Sequence, residues 1–168
     1  MPARTLTVAA LEDWLSRYKE AWEQRDPTRA DALFTEDAAY HEMPFDAPKA
    51  GRRGIRDYWA TVTADQRDVH FTSSVVAVTG KTGIARWNAK LKSASSGVRI
   101  ELDGIFVLTF DDGGLCSELR EWWHVRTSLS RSQHIRASRG AQWYSAAHSG
   151  TPSVGARRSA ANSGRACR

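Results

Sequence analysis

The sequence predicts an α+β domain in which N-terminal helices accompany a mainly antiparallel sheet. Three observations predict it. Apolar residues at helical spacing are confined to the chain before Val69. From Val69 onward, strand-like runs are cut by three turn signals: Gly80-Lys81-Thr82-Gly83, Ser95-Ser96-Gly97 and Asp111-Asp112-Gly113-Gly114. Beyond Arg126 all periodicity stops. Helices at one end and strands joined by short turns at the other imply segregated layers rather than alternating βαβ units.

Taken in order, residues 7–25 read as a helix, because Leu11, Trp14, Leu15, Tyr18 and Trp22 form one stripe. Thr7 is the expected N-cap, and Leu6 against Leu11 the hydrophobic staple. Asp26-Pro27 restarts the chain as cap and first helical position of a short helix burying Ala30, Leu33 and Phe34. "DAAYHEM" reads as a short strand ending at Pro44. The loop "PFDAPKAGRRG" lacks the spacing of a phosphate loop and leads into a third helix with Ile55, Trp59 and Val62 on one face. Four strands follow, over residues 69–79, 84–94, 98–110 and 115–126, as an antiparallel meander.

The composition bounds the class. The chain has 168 residues, 41% hydrophobic and 26% charged, which suits one domain over 1–126. The formal charge of +5 is misleading, because residues 127–168 hold seven arginines and no acid. The rest carries 17 basic against 19 acidic groups, a balance of −2. This Arg/Ser/Ala/Gly-rich tail cannot bury enough apolar surface to offset its ordering entropy, and disorder is expected there. It carries no recognisable nucleic-acid motif, so nucleic acid is not an expected partner. No apolar run approaches membrane-spanning length and the N-terminus lacks a signal-peptide core, so no membrane association is expected. Cys116 and Cys167 lie far apart, without metal or redox spacing, and suit a cytoplasmic location. No two histidines have metal-ligand spacing, and no cofactor motif is present.

Six of the seven tryptophans precede residue 127, an enrichment that fits a core or an aromatic-lined pocket. The stretch "ELREWWHV" sharpens this. Strand alternation puts Leu119, Glu121 and Trp123 on one face and Arg120, Trp122 and His124 on the other. Leucine with tryptophan marks the first face as inner, so Glu121 points where carboxylates rarely go. Ala85, Trp87, Ala89 and Leu91 give the preceding strand 84–94 the same inward surface. Ile105 and Val107 make strand 98–110 apolar on its outer face too, and a second subunit is the economical cover: a homodimer is expected.

The order of these elements, with "YKEAWEQRDPTRADALFTEDAAYHEMPF", "GRRGIRDYW", "GIFVLTFDDGG" and "LREWWH", resembles the nuclear transport factor 2-like superfamily. Its SnoaL-like cyclases and ketosteroid isomerases look closest, over roughly residues 8–126. The resemblance implies a cone-shaped α+β barrel around a ligand cavity, a small apolar ligand and no cofactor. It implies Tyr18 as an oxyanion donor and Glu42 as the carboxylate base. The family's protonated aspartate has no counterpart: Phe106 takes its position, and Asp103 lies three residues earlier. Asp103 reaches the pocket only through a bulge, the alternative being a turn-side or interface role.

The candidate catalytic residues are therefore Glu42, Tyr18 and Glu121, the last as acid, anchor or internal salt-bridge partner. Trp22, Trp59, Trp87, Phe106, Trp123 and Asp103 are the candidate ligand contacts. Acid/base isomerisation, cyclisation or dehydration of a carbonyl compound is one expectation. A non-catalytic binder and a dimeric assembly protein of the same fold are the alternatives.

Overall fold

A computed structural model describes residues 5–128; the tail expected over 127–168 lies outside the described residues from 129 onward. The elements are α1 (Val8–Gln24), α2 (Pro27–Asp31), β1 (Phe34–His41), β2 (Lys49–Ala50), α3 (Gly51–Thr63), β3 (Gln66–Thr79), β4 (Thr82–Ser93), β5 (Arg99–Phe110) and β6 (Cys116–Ser128). One six-stranded sheet runs in the order β2-β1-β6-β5-β4-β3, and the helices pack against its inner face. The sheet is mainly antiparallel, curved and not closed, as the α+β cone requires.

The local signals act as their chemistry dictates. The Thr7 side chain accepts from Ala10 N, and Asp26 accepts from Thr28 N and Arg29 N with Pro27 behind it. Leu11, Trp14, Leu15, Tyr18 and Trp22 are all buried on one side of α1. The second helix is shorter than its pattern suggests. The Leu33 carbonyl is taken by Cys116 N at 2.9 Å and by the Trp14 indole at 3.1 Å, so the chain leaves the helix and Phe34 opens β1. Asp31, fully buried, ties α2 to α3 through Arg52 at 3.2 Å and through Arg56.

The meander β3–β6 is continuous and antiparallel. Two pairings were not visible in the sequence: β2, inside the expected loop, pairs antiparallel with β1, and β1 runs parallel to β6, with Tyr40 opposite Leu119 and His41 opposite Arg120. Gly104 sits at the centre of the ladder, between Trp87 and Trp123. A Cβ there would lie 2.7 Å from the Trp87 indole and 2.6 Å from the Trp122 carbonyl. The glycine is thus the seat on which the Trp87 ring lies flat against the sheet. On the outer face Ile105 and Trp122 are directly opposite each other, 38% and 48% exposed.

Candidate functional site

Three inward alternations and one register build the site. Along β1 the buried positions are Phe34, Ala38 and Tyr40, and Glu42 continues the alternation one residue past the strand. Along β6 they are Cys116, Leu119 and Glu121. Because the two strands are parallel with Tyr40 beside Leu119, Glu42 comes level with Glu121. Helix α1 supplies Tyr18 and Trp22 from above, and α3 supplies Tyr58 and Trp59. The result is a cavity of about 170 Å³ between helices and sheet.

Tyr18, Trp22, Glu42, Trp59, Trp87, Glu121 and Trp123 all line it, so seven of the nine expected residues meet at one place. The other two do not, and both expectations are corrected. Asp103 has its side chain on the outer face, half exposed and paired with Arg86 at 3.2 Å. No bulge interrupts β4–β5 at that point, so strand alternation holds and Asp103 cannot turn inward. Phe106 does point inward but is fully buried, stacked on Trp87 at 5.1 Å and against Tyr18 at 5.3 Å. It supports the cavity wall from behind and does not line it.

Polar groups are few in this apolar chamber, and they are linked. The Tyr40 hydroxyl donates to Glu121 Oε1 at 3.0 Å, and the Tyr18 and Tyr40 hydroxyls are 3.2 Å apart. Glu42 faces the Tyr58 phenol, and Lys49 Nζ lies 3.9 Å from Glu42 Oε2 and over the Tyr58 ring. Burial holds the Glu121 carboxyl well above the usual carboxylate range; the neighbouring Glu42 pushes it the same way, and the Tyr40 hydrogen bond opposes. Burial likewise raises Tyr18, Tyr40 and Tyr58, with Glu121 adding to it in all three and Glu42 in Tyr18 and Tyr58, so these phenols remain protonated donors. Trp22 spends its indole N–H on Gln66 Oε1 at 2.8 Å. The buried indole N–H groups of Trp59 and Trp87 have no hydrogen-bond partner among the described residues. They are donors for which a bound acceptor would be favourable.

Tyr40 and Tyr58 were not among the sequence candidates. Tyr40 was within reach of the reasoning, since it stands two residues before Glu42 and alternation puts both on one face. Tyr58 was within reach too, since it stands three residues after Ile55 and shares the i, i+3, i+4, i+7 stripe of α3 with Trp59 and Val62. Burial pushes the Cys116 thiol up, which removes it as a nucleophile. Among the described residues no three His, Cys, Asp or Glu side chains group as a metal site, and no helix is long and apolar enough to cross a membrane.

A conical chamber roofed by helices, floored by a curved sheet and carrying two inward carboxylates defines a class of protein with ketosteroid isomerase-like architecture. The chain belongs to the SnoaL-like domain family, which matches residues 15–118. Similar solved structures include the epoxide hydrolase/cyclase-like enzyme SalBIII of pyran ring formation in the polyether salinomycin. It shows 17% identity and a TM-score of 0.61, covering 70% of this chain and 95% of that one. A Catenulispora acidiphila DSM 44928 protein with a ketosteroid isomerase-like fold, in complex with trimethylamine, shows 17% identity and a TM-score of 0.58, covering 66% and 84%. A computationally designed 17-OHP binder shows 17% identity and a TM-score of 0.63, covering 71% and 97%. Identities this low speak to the fold alone. No curated protein matches the sequence.

Proposed function

We propose that the cavity binds a small, mostly apolar carbonyl compound and catalyses cofactor-free proton transfer upon it. The observation that carries this reading is the pair Glu42 and Glu121, two buried carboxylates lining one aromatic chamber, with Tyr40 bonded to Glu121 and Tyr58 beside Glu42. Two like groups in one site separate in role when their surroundings differ. Glu42, beside Tyr58 and near Lys49, is the base that removes a proton beside the carbonyl. Glu121, held toward its protonated form, and the tyrosine hydroxyls stabilise the developing oxyanion. The unpartnered indole donors of Trp59 and Trp87 suit a ligand with acceptor atoms. Such chemistry serves isomerisation, cyclisation or dehydration, and one structural neighbour is named for a cyclisation.

The test is hydrogen–deuterium exchange of the methyl protons of acetophenone in D₂O, followed by proton NMR. The wild type is expected to accelerate exchange and Glu42→Gln to abolish the acceleration. A wild type no faster than buffer would remove the catalytic reading and leave a binding protein.

A second reading concerns assembly and rests on the outer face. Ile105 and Trp122 form a contiguous exposed apolar pair on the convex side, away from the cavity, and a homodimer across this face would cover them in a cytoplasmic protein. Sedimentation of the wild type as a dimer and of Ile105→Asp as a monomer is the expected result. A monomeric wild type at micromolar concentration would exclude it.

A further inference from the structure

Resting on the cavity reading above, we propose that Tyr40 is a positioning residue that reverses the hydrogen-bonding sense of Tyr18 when Glu121 gains a proton. The cavity therefore takes an acceptor-only oxygen, such as a ketone carbonyl, together with one proton from solvent.

The argument is a count of hydrogens along three oxygen atoms. Tyr40 has one hydroxyl hydrogen and donates it to Glu121 Oε1 at 3.0 Å. The contact of 3.2 Å between the Tyr18 and Tyr40 hydroxyls must then be made with the Tyr18 hydrogen, since either atom can donate there. In this state Tyr18 has nothing left to give and presents only lone pairs to the cavity. A ketone oxygen meeting it finds acceptor against acceptor, a buried polar contact that costs free energy.

A proton placed on Glu121 Oε1 reverses the chain. The carboxyl O–H donates to the Tyr40 oxygen, the Tyr40 hydrogen turns to the Tyr18 oxygen, and the Tyr18 hydrogen is released toward the cavity. One O–H bond forms on Glu121 with a solvent proton, and two hydroxyl hydrogens rotate. No heavy atom needs to move. The rings could hardly do so. Tyr18 is clamped by Trp14 at 5.2 Å, Trp59 at 5.2 Å, Phe106 at 5.3 Å and Phe71 at 5.7 Å, and Tyr40 by Tyr58 at 5.3 Å. With the rings fixed, the hydroxyl torsions are the remaining freedom.

The titratable groups around Glu121 are Tyr18 from α1, Tyr40 from β1, Glu42 just past β1, and Tyr58 from α3, with Lys49 of β2 beyond Glu42. On its own strand Cys116 lies further along, near Tyr18, and Asp65 after α3 lines the far part of the cavity. The opposite residue on β5, Phe106, carries no charge. The phenols and the thiol are raised by burial and keep their protons, which leaves Glu121 as the group on the chain whose proton a ligand can shift. Its carboxylate is bonded to Tyr40.

The experiment is isothermal titration of acetophenone and of ethylbenzene, which has a similar shape without the oxygen, into the full chain from about pH 5 to pH 10. Each titration is run in two buffers of different ionisation enthalpy, which reports protons taken up per ligand. For acetophenone, uptake should rise toward one proton with pH while affinity falls, approaching tenfold per pH unit once Glu121 is charged. Ethylbenzene should bind with no uptake and no such fall. In Tyr40→Phe the chain is cut and Tyr18 offers its hydrogen at every pH, so acetophenone should bind without uptake. Ethylbenzene binding to the same variant shows that its cavity is intact. Tyr18→Phe, where ethylbenzene likewise shows the cavity intact, should also lose the uptake. Acetophenone binding to the wild type without proton uptake overturns the proposal. So does uptake retained in Tyr40→Phe, which would mean that Glu121 donates to the ketone directly. If neither probe binds the wild type, the cavity reading fails and the proposal with it.

Discussion

The two faces of the β5–β6 ladder carry the same kinds of side chain in opposite circumstances. On the inner face stand Glu121 and Trp123; on the outer face stand Asp103 and Trp122, a few ångströms of backbone away. Asp103 keeps water and pairs with Arg86, both at least half exposed. Glu121 is 6% exposed, has a tyrosine hydroxyl for its hydrogen bond, and faces a second carboxylate rather than a cation. The outer acid is therefore an ordinary ion-pair partner, whereas the inner one is a group whose protonation matters to everything bonded to it. Solvent access, not residue type, separates a surface charge from a candidate reactive group.

This contrast can be broken from either side. The largest effect belongs to the inner face: Glu42→Gln should slow proton exchange of the ketone probe by about 10²–10⁴-fold, or about 3–5 kcal/mol of barrier. Next comes the cost of burying Glu121. Its folded pKa is raised, so between the ordinary carboxylate range and the raised value the folded chain keeps a proton that the unfolded chain has released. The stability it contributes is complete below that window and is lost as pH rises through it, by up to about 1.4 kcal/mol per pH unit. Glu121→Gln keeps an acceptor for Tyr40 and removes this slope, so denaturant titrations should show the variant gaining on the wild type as pH rises. Gly104→Ala attacks the layer between the faces. Its Cβ would meet the Trp87 ring and the Trp122 carbonyl, and a loss of about 1–3 kcal/mol is expected in the same titrations. Asp103→Asn should cost less than about 1 kcal/mol, fading with added salt, and leave ketone exchange unchanged. A large effect there would show that the outer face communicates with the cavity.

Much of this was legible in the chain. The α1 stripe, the Thr7 and Asp26 caps and the three turns of the meander are local signals, each read by residues within a few positions of one another. The assignment of Glu121 inward and Trp122 outward followed from period-two alternation alone. What failed locally did so for identifiable reasons. Phe34 looked helical because the carbonyl that ends α2 is claimed by Cys116, more than eighty positions away. Phe106 had the right face but the wrong depth, a matter of how Tyr18 and Trp87 stack on it. Asp103 stays on the outer face, the alternative left open for it, because β5 runs past it without a bulge.

By itself, then, the sequence determined the elements, their faces and the pool of aromatic and acidic groups available to a cavity, because hydrophobic period and capping chemistry act over one or two turns of chain. Only the tertiary structure decided which of those groups meet. The parallel register of β1 on β6 sets Glu42 beside Glu121 and lays Tyr40 between Glu121 and Tyr18, joining segments some eighty residues apart. That pairing is a parallel one with no turn to announce it. It is chosen by how the helices and the far strand bury their apolar faces together, which no local window contains.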